Sequence, residues 1–199
     1  MTTIILWRHG NTDWNNDGRI QGQLDVPLNE RGRVEAEASA GRLALLRPNL
    51  LISSDSARAV ETAMALANMV DVRVERDARL RERSFGPWEG LTIDEVRDRF
   101  PDAYARWRSG EPGPDDGLEP TADLGKRVAE TIREAADRVP GGRAILVTHG
   151  GSVKWGLITL LGWPEEMAPT LRGMSNCHWT ELRHDPVRGW ELVRYNAGI

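Results

Sequence analysis

The run Thr2-Thr3-Ile4-Ile5-Leu6-Trp7-Arg8-His9-Gly10 passes abruptly from β-branched and apolar residues to a cation, a histidine and a glycine. A short continuous apolar run of this kind predicts a strand covered on both faces, as in a parallel sheet. The pattern recurs where Ile145-Leu146-Val147-Thr148 leads into His149-Gly150-Gly151. Open α/β sheets place their ligands beyond the carboxyl ends of the strands. A lone histidine after a strand more often serves structure than chemistry, but two matching junctions in one chain point to a shared site. The glycine after each histidine would let backbone approach a ligand closely.

Working outward, strand and helix signals alternate. Residues 29–46 carry Val34, Ala38, Gly41 and Leu45 at helical spacing, and residues 50–53 form a second apolar run. Ser54 and Asp55 then offer a helix cap ahead of Val60, Ala63, Met64 and Ala67. Residues 72–74 read as a strand at the sheet edge, because their neighbours are charged. Thr92 and Glu95 form a capping box. Residues 121–139 place Leu124, Val128, Ile132, Ala135 and Val139 on one stripe, and a helix over 152–161 stops at Gly162. Residues 178–183 and 190–195 alternate around a turn, which predicts a hairpin. The whole reads as an α/β fold, a three-layer α/β/α sandwich with a mostly parallel central sheet. One domain over residues 1–199 is expected, with an insertion at about 83–120 over the site, ending in a Pro-, Gly- and acid-rich surface loop at 110–120.

Composition removes several classes. With 199 residues, 40% hydrophobic and 28% charged, the chain is neither disordered nor short of a core. Acidic residues outnumber basic ones by 30 to 26, which argues against a general nucleic-acid binder. The longest mostly apolar stretch, 155–163, falls short of the ~20 residues of a membrane span. The run at 4–7 is too short for a secretory signal core. The single cysteine, Cys177, excludes an intrachain disulfide and a thiolate metal cage. A cytoplasmic protein is expected, with no membrane or nucleic-acid partner and an exposed terminal hairpin through which it could homodimerise.

Arg8-His9-Gly10-Asn11-Thr12, Trp14-Asn15, Gln21-Gly22, Asp25 and Pro27-Leu28 together resemble the signature of the histidine phosphatase superfamily, also called the phosphoglycerate-mutase-like family. The resemblance continues through Ser53-Ser54-Asp55-Ser56-Ala57-Arg58-Ala59-Val60-Glu61-Thr62. It then takes in Leu80-Arg81-Glu82 with Gly86-Pro87-Trp88-Glu89-Gly90, and Val147-Thr148-His149-Gly150-Gly151. Each block is weak alone; in this order over residues 4–151 they are specific.

The resemblance implies a phosphoglycerate-mutase-like fold and a metal-independent phosphomonoester hydrolase acting on a small phosphorylated metabolite of sugar or glycerate type. His9 would be the nucleophile that becomes phosphohistidine, its other ring nitrogen held as a donor by a backbone carbonyl. Arg8 and Arg58 would chelate the phosphoryl oxygens and His149 would donate to them. Glu82 would protonate the departing alkoxide and then deprotonate the attacking water; the charge of a bound phosphate dianion favours the protonated form of a neighbouring carboxyl. Asn15, Thr12, Gln21 and the Gly150 amide would orient phosphate or substrate. Neither metal nor cofactor is expected, since fixed donors can stabilise phosphoryl transfer. His9, His149 and Glu82 could in principle form a two-His-one-carboxylate site, but two arginines aimed at the same point would repel the cation. From spacing alone Glu82 has rivals in Glu89, Glu61 and Glu75, and His178, His184, Trp14 and Trp88 read as packing residues.

Two alternatives stay open: a cofactor-dependent phosphoglycerate mutase, and a non-catalytic phospho-ligand-binding domain. The mutases carry a paired-arginine stretch in a longer insertion after the acid, and no adjacent Arg-Arg pair occurs in this chain. Residues 173–180 are similar to actinobacterial members that act on glucosyl-3-phosphoglycerate. Asn11 stands where the family usually has Glu, Gln or Ser, a change expected to alter the pocket lining. Gly117-Leu118-Glu119-Pro120 stands where many phosphatases have Gly-Glu-Ser, so that loop's substrate-facing role does not carry over.

Overall fold

The computed structural model describes residues 1–110 and 113–198, so Glu111 and Pro112 of the expected 110–120 loop lie outside the described residues. In chain order the elements are β1 (Thr2–Arg8), α1 (Asp13–Asn16), α2 (Glu30–Ala44), β2 (Leu50–Ser53), α3 (Ala57–Ala67) and β3 (Val74–Arg76). They continue with α4 (Ile93–Arg99), α5 (Pro101–Ser109), α6 (Thr121–Arg138), β4 (Arg143–Thr148), α7 (Gly150–Leu161), β5 (Trp179–Asp185) and β6 (Gly189–Ala197). The sheet order is β3-β2-β4-β1-β5-β6. The pairs β3·β2, β2·β4 and β4·β1 are parallel; β5 and β6 join antiparallel.

Alternation along the strands divides the core into two layers. Ile4, Leu6, Ile52, Ala144 and Leu146 meet Leu124, Val128 and Ile132 of α6 and Leu157 of α7 on one face. Ile5, Trp7, Leu51, Ile145 and Val147 meet Ala40 and Leu43 of α2 and Ala59, Ala63 and Leu66 of α3 on the other. This is the expected three-layer α/β/α arrangement. The β1–β4 register pairs Arg8 with Thr148, and the His9 N–H continues the ladder to the Thr148 carbonyl at 3.0 Å. His9 and His149 thereby leave two neighbouring parallel strands side by side.

Three local expectations are corrected. The stripe chosen for α2 is its solvent face: Val34 is 59% and Leu45 78% exposed, while Gly32, Ala36, Ser39, Ala40 and Leu43 are buried. Small side chains, with Leu43, let α2 lie close against α3, so helical spacing alone picked the wrong face. The cap of α3 is not made by Ser54 or Asp55. Ser56 occupies the position without a side-chain bond, and Asp25, 32 residues upstream, accepts from the Ala57 N–H at 2.6 Å. The third strand lies at the sheet edge but begins at Val74, where pairing to Leu51 starts. The Thr92–Glu95 capping box and the Gly162 stop, in left-handed conformation at φ +64°, are as read.

Candidate active site

His9 is buried, and its Nδ1 lies 2.7 Å from the Gly10 carbonyl. A carbonyl only accepts, so the ring proton sits on Nδ1 and Nε2 keeps its lone pair. Burial, reinforced by the Arg8 and Arg58 charges, holds the His9 pKa well below the usual 6.5. The His149 ring centroid is 5.1 Å away. Its Nε2 contacts Ser54 Oγ at 3.0 Å and Ser56 Oγ at 3.3 Å, and its buried Nδ1 has no partner among the described residues. Burial, then the charges of Arg58 and Arg8, also holds its pKa well below 6.5, so both rings are neutral at pH 7.

Two guanidinium groups adjoin the pair. Arg58, 1% exposed in the first turn of α3, donates from its terminal nitrogens to the Leu24 and Gly22 carbonyls, each at 2.8 Å. Arg8 donates to the Met174 carbonyl. Burial lowers both arginine pKa values, yet an arginine stays charged through any physiological pH. In each the buried Nε–H has no acceptor among the described residues; Arg8 Nε stands 3.6 Å from where a Cβ on Gly150 would be. A buried polar atom left unpaired costs about 1–3 kcal/mol. Three of them, Arg8 Nε, Arg58 Nε and His149 Nδ1, belong to the side chains around His9. Such a set suits a tetrahedral anion, which offers acceptors in several directions.

Glu82 reaches this cluster from the loop before α4. Its Oε1 accepts from the Arg83 N–H at 2.8 Å and the Ser152 N–H at 3.0 Å, and its Oε2 from the Gly151 N–H at 2.9 Å. The amino end of α7 therefore holds the carboxylate, a favourable place for an anion. A Cβ at Gly151 would lie 2.5 Å from Oε1, so this contact requires glycine. Arg127 of α6 braces the loop by donating to the carbonyls of Arg79, Arg81 and Glu82 at 2.6, 2.7 and 3.0 Å, and to the Glu119 carboxylate. Sequence reading missed Arg127, which looks like any charged residue on an amphipathic helix. It gave Ser54 only a helix cap and quoted Ser56 without assigning it work.

The secondary candidates divide. Asn15 caps α1 together with Thr12, whose buried hydroxyl and N–H are both spent on Asn15. Gln21 is nearly buried, and its Oε1 has no partner among the described residues. Gly150 lines a cavity of about 1000 Å³ with Arg8, Glu82, Phe85, Trp107 and Lys154. Asn11 does not line it: the side chain is buried and accepts from Asn29 Nδ2 at 2.8 Å, at the head of α2. Gly10 likewise serves the protein, since a Cβ there would meet the Gly32 carbonyl oxygen at 2.5 Å. His184 stacks on Trp190 across the hairpin and Trp88 is buried against Trp107, so these are packing residues as expected. Among the described residues no group of three or more His, Cys, Asp or Glu side chains could hold a metal ion. None of the described helices is long and apolar enough to cross a membrane.

The sequence has recognisable relatives. It is 38% identical to a glucosyl-3-phosphoglycerate phosphatase of Mycolicibacterium vanbaalenii, over 98% of this chain and 94% of the relative. It is 37% identical to a metal-independent phosphoserine phosphatase of Arabidopsis thaliana, over 77% of this chain and 66% of that one. The solved structure of a mycobacterial glucosyl-3-phosphoglycerate phosphatase in complex with VO3 superposes with a TM-score of 0.88 at 35% identity, covering 98% of this chain and 99% of that one. Like these relatives, the chain is a phosphomonoester hydrolase. A family profile described as the histidine phosphatase superfamily (branch 1) matches residues 4–198, and the chain belongs to that superfamily.

Proposed function

We propose that this chain hydrolyses a carboxylate-bearing sugar or glycerate phosphate through a phosphohistidine on His9, with glucosyl-3-phosphoglycerate as the first ester to test. The observation that carries the reading is the His9 ring: Nδ1 is tied to a carbonyl, Nε2 is unprotonated, and unpaired donors surround it.

In the first step the Nε2 lone pair attacks phosphorus. The P–O ester bond breaks, and the alkoxide takes a proton from Glu82. Arg8, Arg58 and His149 donate to the three equatorial oxygens, where transition-state charge resides. Oε2, which accepts only one amide, is the Glu82 oxygen placed to carry the proton. In the second step Glu82 takes a proton from water as the water oxygen attacks phosphorus. The N–P bond breaks and inorganic phosphate leaves. Asn15 and Gln21 orient the phosphoryl group, and Thr12 acts through Asn15.

Substrate class follows from the cavity. Its volume far exceeds that of a phosphate, and its wall includes Trp107, Trp155 and Phe85. Lys154 lies one turn beyond Gly150 on α7, and helical side chains lean toward the amino end, here the site. Half-buried, it has no ion-pair partner among the described residues, and burial lowers its pKa. Arg83 Nη2, in the same wall, is buried with no partner among the described residues. These two cations suit a carboxylate on the substrate. In this reading the described residues of the 83–120 insertion cover the site of a single domain, and the enzyme is cytoplasmic. It needs no metal or nucleic acid, and the terminal hairpin is available for homodimerisation.

Brief exposure to labelled ester should leave acid-labile phosphate on the wild type and none on His9→Ala, which should not turn over. Glu82→Gln should accumulate that phosphoenzyme from p-nitrophenyl phosphate, whose leaving group needs no acid. Turnover by His9→Ala would overturn the reading. Transfer of phosphate within 3-phosphoglycerate without its release would establish the mutase instead.

A further inference from the structure

The turn before β5 is bound to the nucleophile's backbone by a side chain from the far end of the sequence. Asn176 Nδ2 donates to the His9 carbonyl at 3.0 Å, the Gly10 carbonyl at 3.1 Å and Asn15 Oδ1 at 3.2 Å. Two of these acceptors are carbonyls, so only the NH2 end of the amide can face them. The Gly10 carbonyl is also the acceptor of the His9 Nδ1 proton. Gly10 has no side chain to restrain its peptide plane, and glycine rotates more freely than any other residue. Its N–H is held by Thr62 Oγ1 at 3.0 Å, and besides the His9 ring the donor on its carbonyl is Asn176 Nδ2.

The same amide settles Asn15. Thr12 N–H, the Thr12 hydroxyl and Asn176 Nδ2 all converge on Asn15 Oδ1, at 3.1, 3.1 and 3.2 Å. The donor end of Asn15 is thereby left outside the cap.

The turn is itself firmly anchored and strained. Cys177 has φ +56°, a left-handed conformation that is unfavourable for a non-glycine residue. It is paid back by bonds to β1 and its exit: the Cys177 N–H donates to the His9 carbonyl at 3.3 Å, and Trp7 Nε1 donates to the Cys177 carbonyl at 3.1 Å. Strain of this kind persists where the surroundings over-determine the backbone, and it clusters at functional sites.

We infer that Asn176 is a positioning residue of the phosphoryl site, holding His9 in the Nδ1–H tautomer and Asn15 with its donor end free. The inference rests on His9 being the nucleophile. It is tested in the full chain with Asn176→Ala and the isosteric Asn176→Asp, whose carboxylate cannot donate to a carbonyl. Three quantities are measured: kcat and KM for p-nitrophenyl phosphate, the thermal midpoint, and the imidazole 15N shifts of His9 in histidine-labelled protein. Folded Asn176→Ala should lose 10- to 100-fold in kcat with a smaller change in KM. Its His9 nitrogens should move from one tautomer toward averaged shifts, which loss of stability alone would not cause. Asn176→Asp should lose at least as much and carries the same measurement if the alanine variant does not fold. A folded variant with wild-type kcat and wild-type His9 shifts overturns the inference, as does loss of activity with the tautomer intact. If His9→Ala still turns over, the nucleophile reading has failed; if His9→Ala is dead while Asn176→Ala is normal, only the role of Asn176 has.

Discussion

Ser54 Oγ lies 3.0 Å from His149 Nε2, and the ring's other nitrogen, buried and unpaired, is Nδ1. Ser56 Oγ stands 3.1 Å from Ser54 Oγ, so the two hydroxyls can run as a chain with Ser54 donating to the ring. That direction puts the imidazole proton on Nδ1, where it can be given to a phosphoryl oxygen. With that direction the two histidines have their protons set by different devices, a backbone carbonyl for His9 and a serine pair for His149.

Ser54→Ala should therefore weaken transition-state binding without removing the nucleophile. The expected loss in kcat/KM is about tenfold, equivalent to about 1.4 kcal/mol for one neutral hydrogen bond. Affinity for vanadate, measured in competition, should fall by a similar factor. Unchanged vanadate binding would mean that the serine does not govern the ring.

The acid limb of the rate profile tests the lowered His9 pKa. Protonation of His9 destroys the nucleophile, so kcat/KM should pass through pH 6.5 without a fall ascribable to His9 and decline only well below it. Stability follows the same sign. Between the lowered folded values and 6.5 the unfolded chain binds protons that folded His9 and His149 refuse. Stability is therefore fully present above about 6.5 and is lost as pH falls below it, by about 1.4 kcal/mol per pH unit per histidine. Thermal midpoints from pH 7 to pH 5 should fall in the wild type, and less steeply in the His9→Asn, His149→Asn double variant.

Lys154→Met keeps the length of the side chain and removes its charge. KM for 3-phosphoglycerate or phosphoserine should rise about tenfold, with kcat little changed. KM for p-nitrophenyl phosphate, which has no carboxylate, should stay within twofold. An equal rise for both esters would assign Lys154 to the phosphoryl group rather than to a second anion.

The candidate cluster was legible because its members stand at places a sequence can mark. His9 and His149 follow apolar runs, Arg58 sits in a helix's first turn, and Glu82 lies in a recognisable block. The supporting residues carry no such mark. Arg127 occupies a polar position of α6, and only the folded chain turns it onto the carbonyls behind Glu82. Asp25 caps α3 from outside, where local capping rules pointed to Ser54 and Asp55. On α2 the stripe read from spacing faces solvent, and the face packed on α3 carries small side chains together with Leu43.

By itself the sequence determined which segments become buried strands and that both histidines leave the sheet at its carboxyl edge. Periodicity and chain polarity are properties of neighbouring residues. The tertiary structure alone decided how each functional group is oriented: which imidazole nitrogen carries the proton, which amides hold the Glu82 carboxylate, and that Asn176 meets a carbonyl 167 residues away. Hydrogen bonds are directional and span distant parts of the chain, so they exist only once packing has brought donor and acceptor into line.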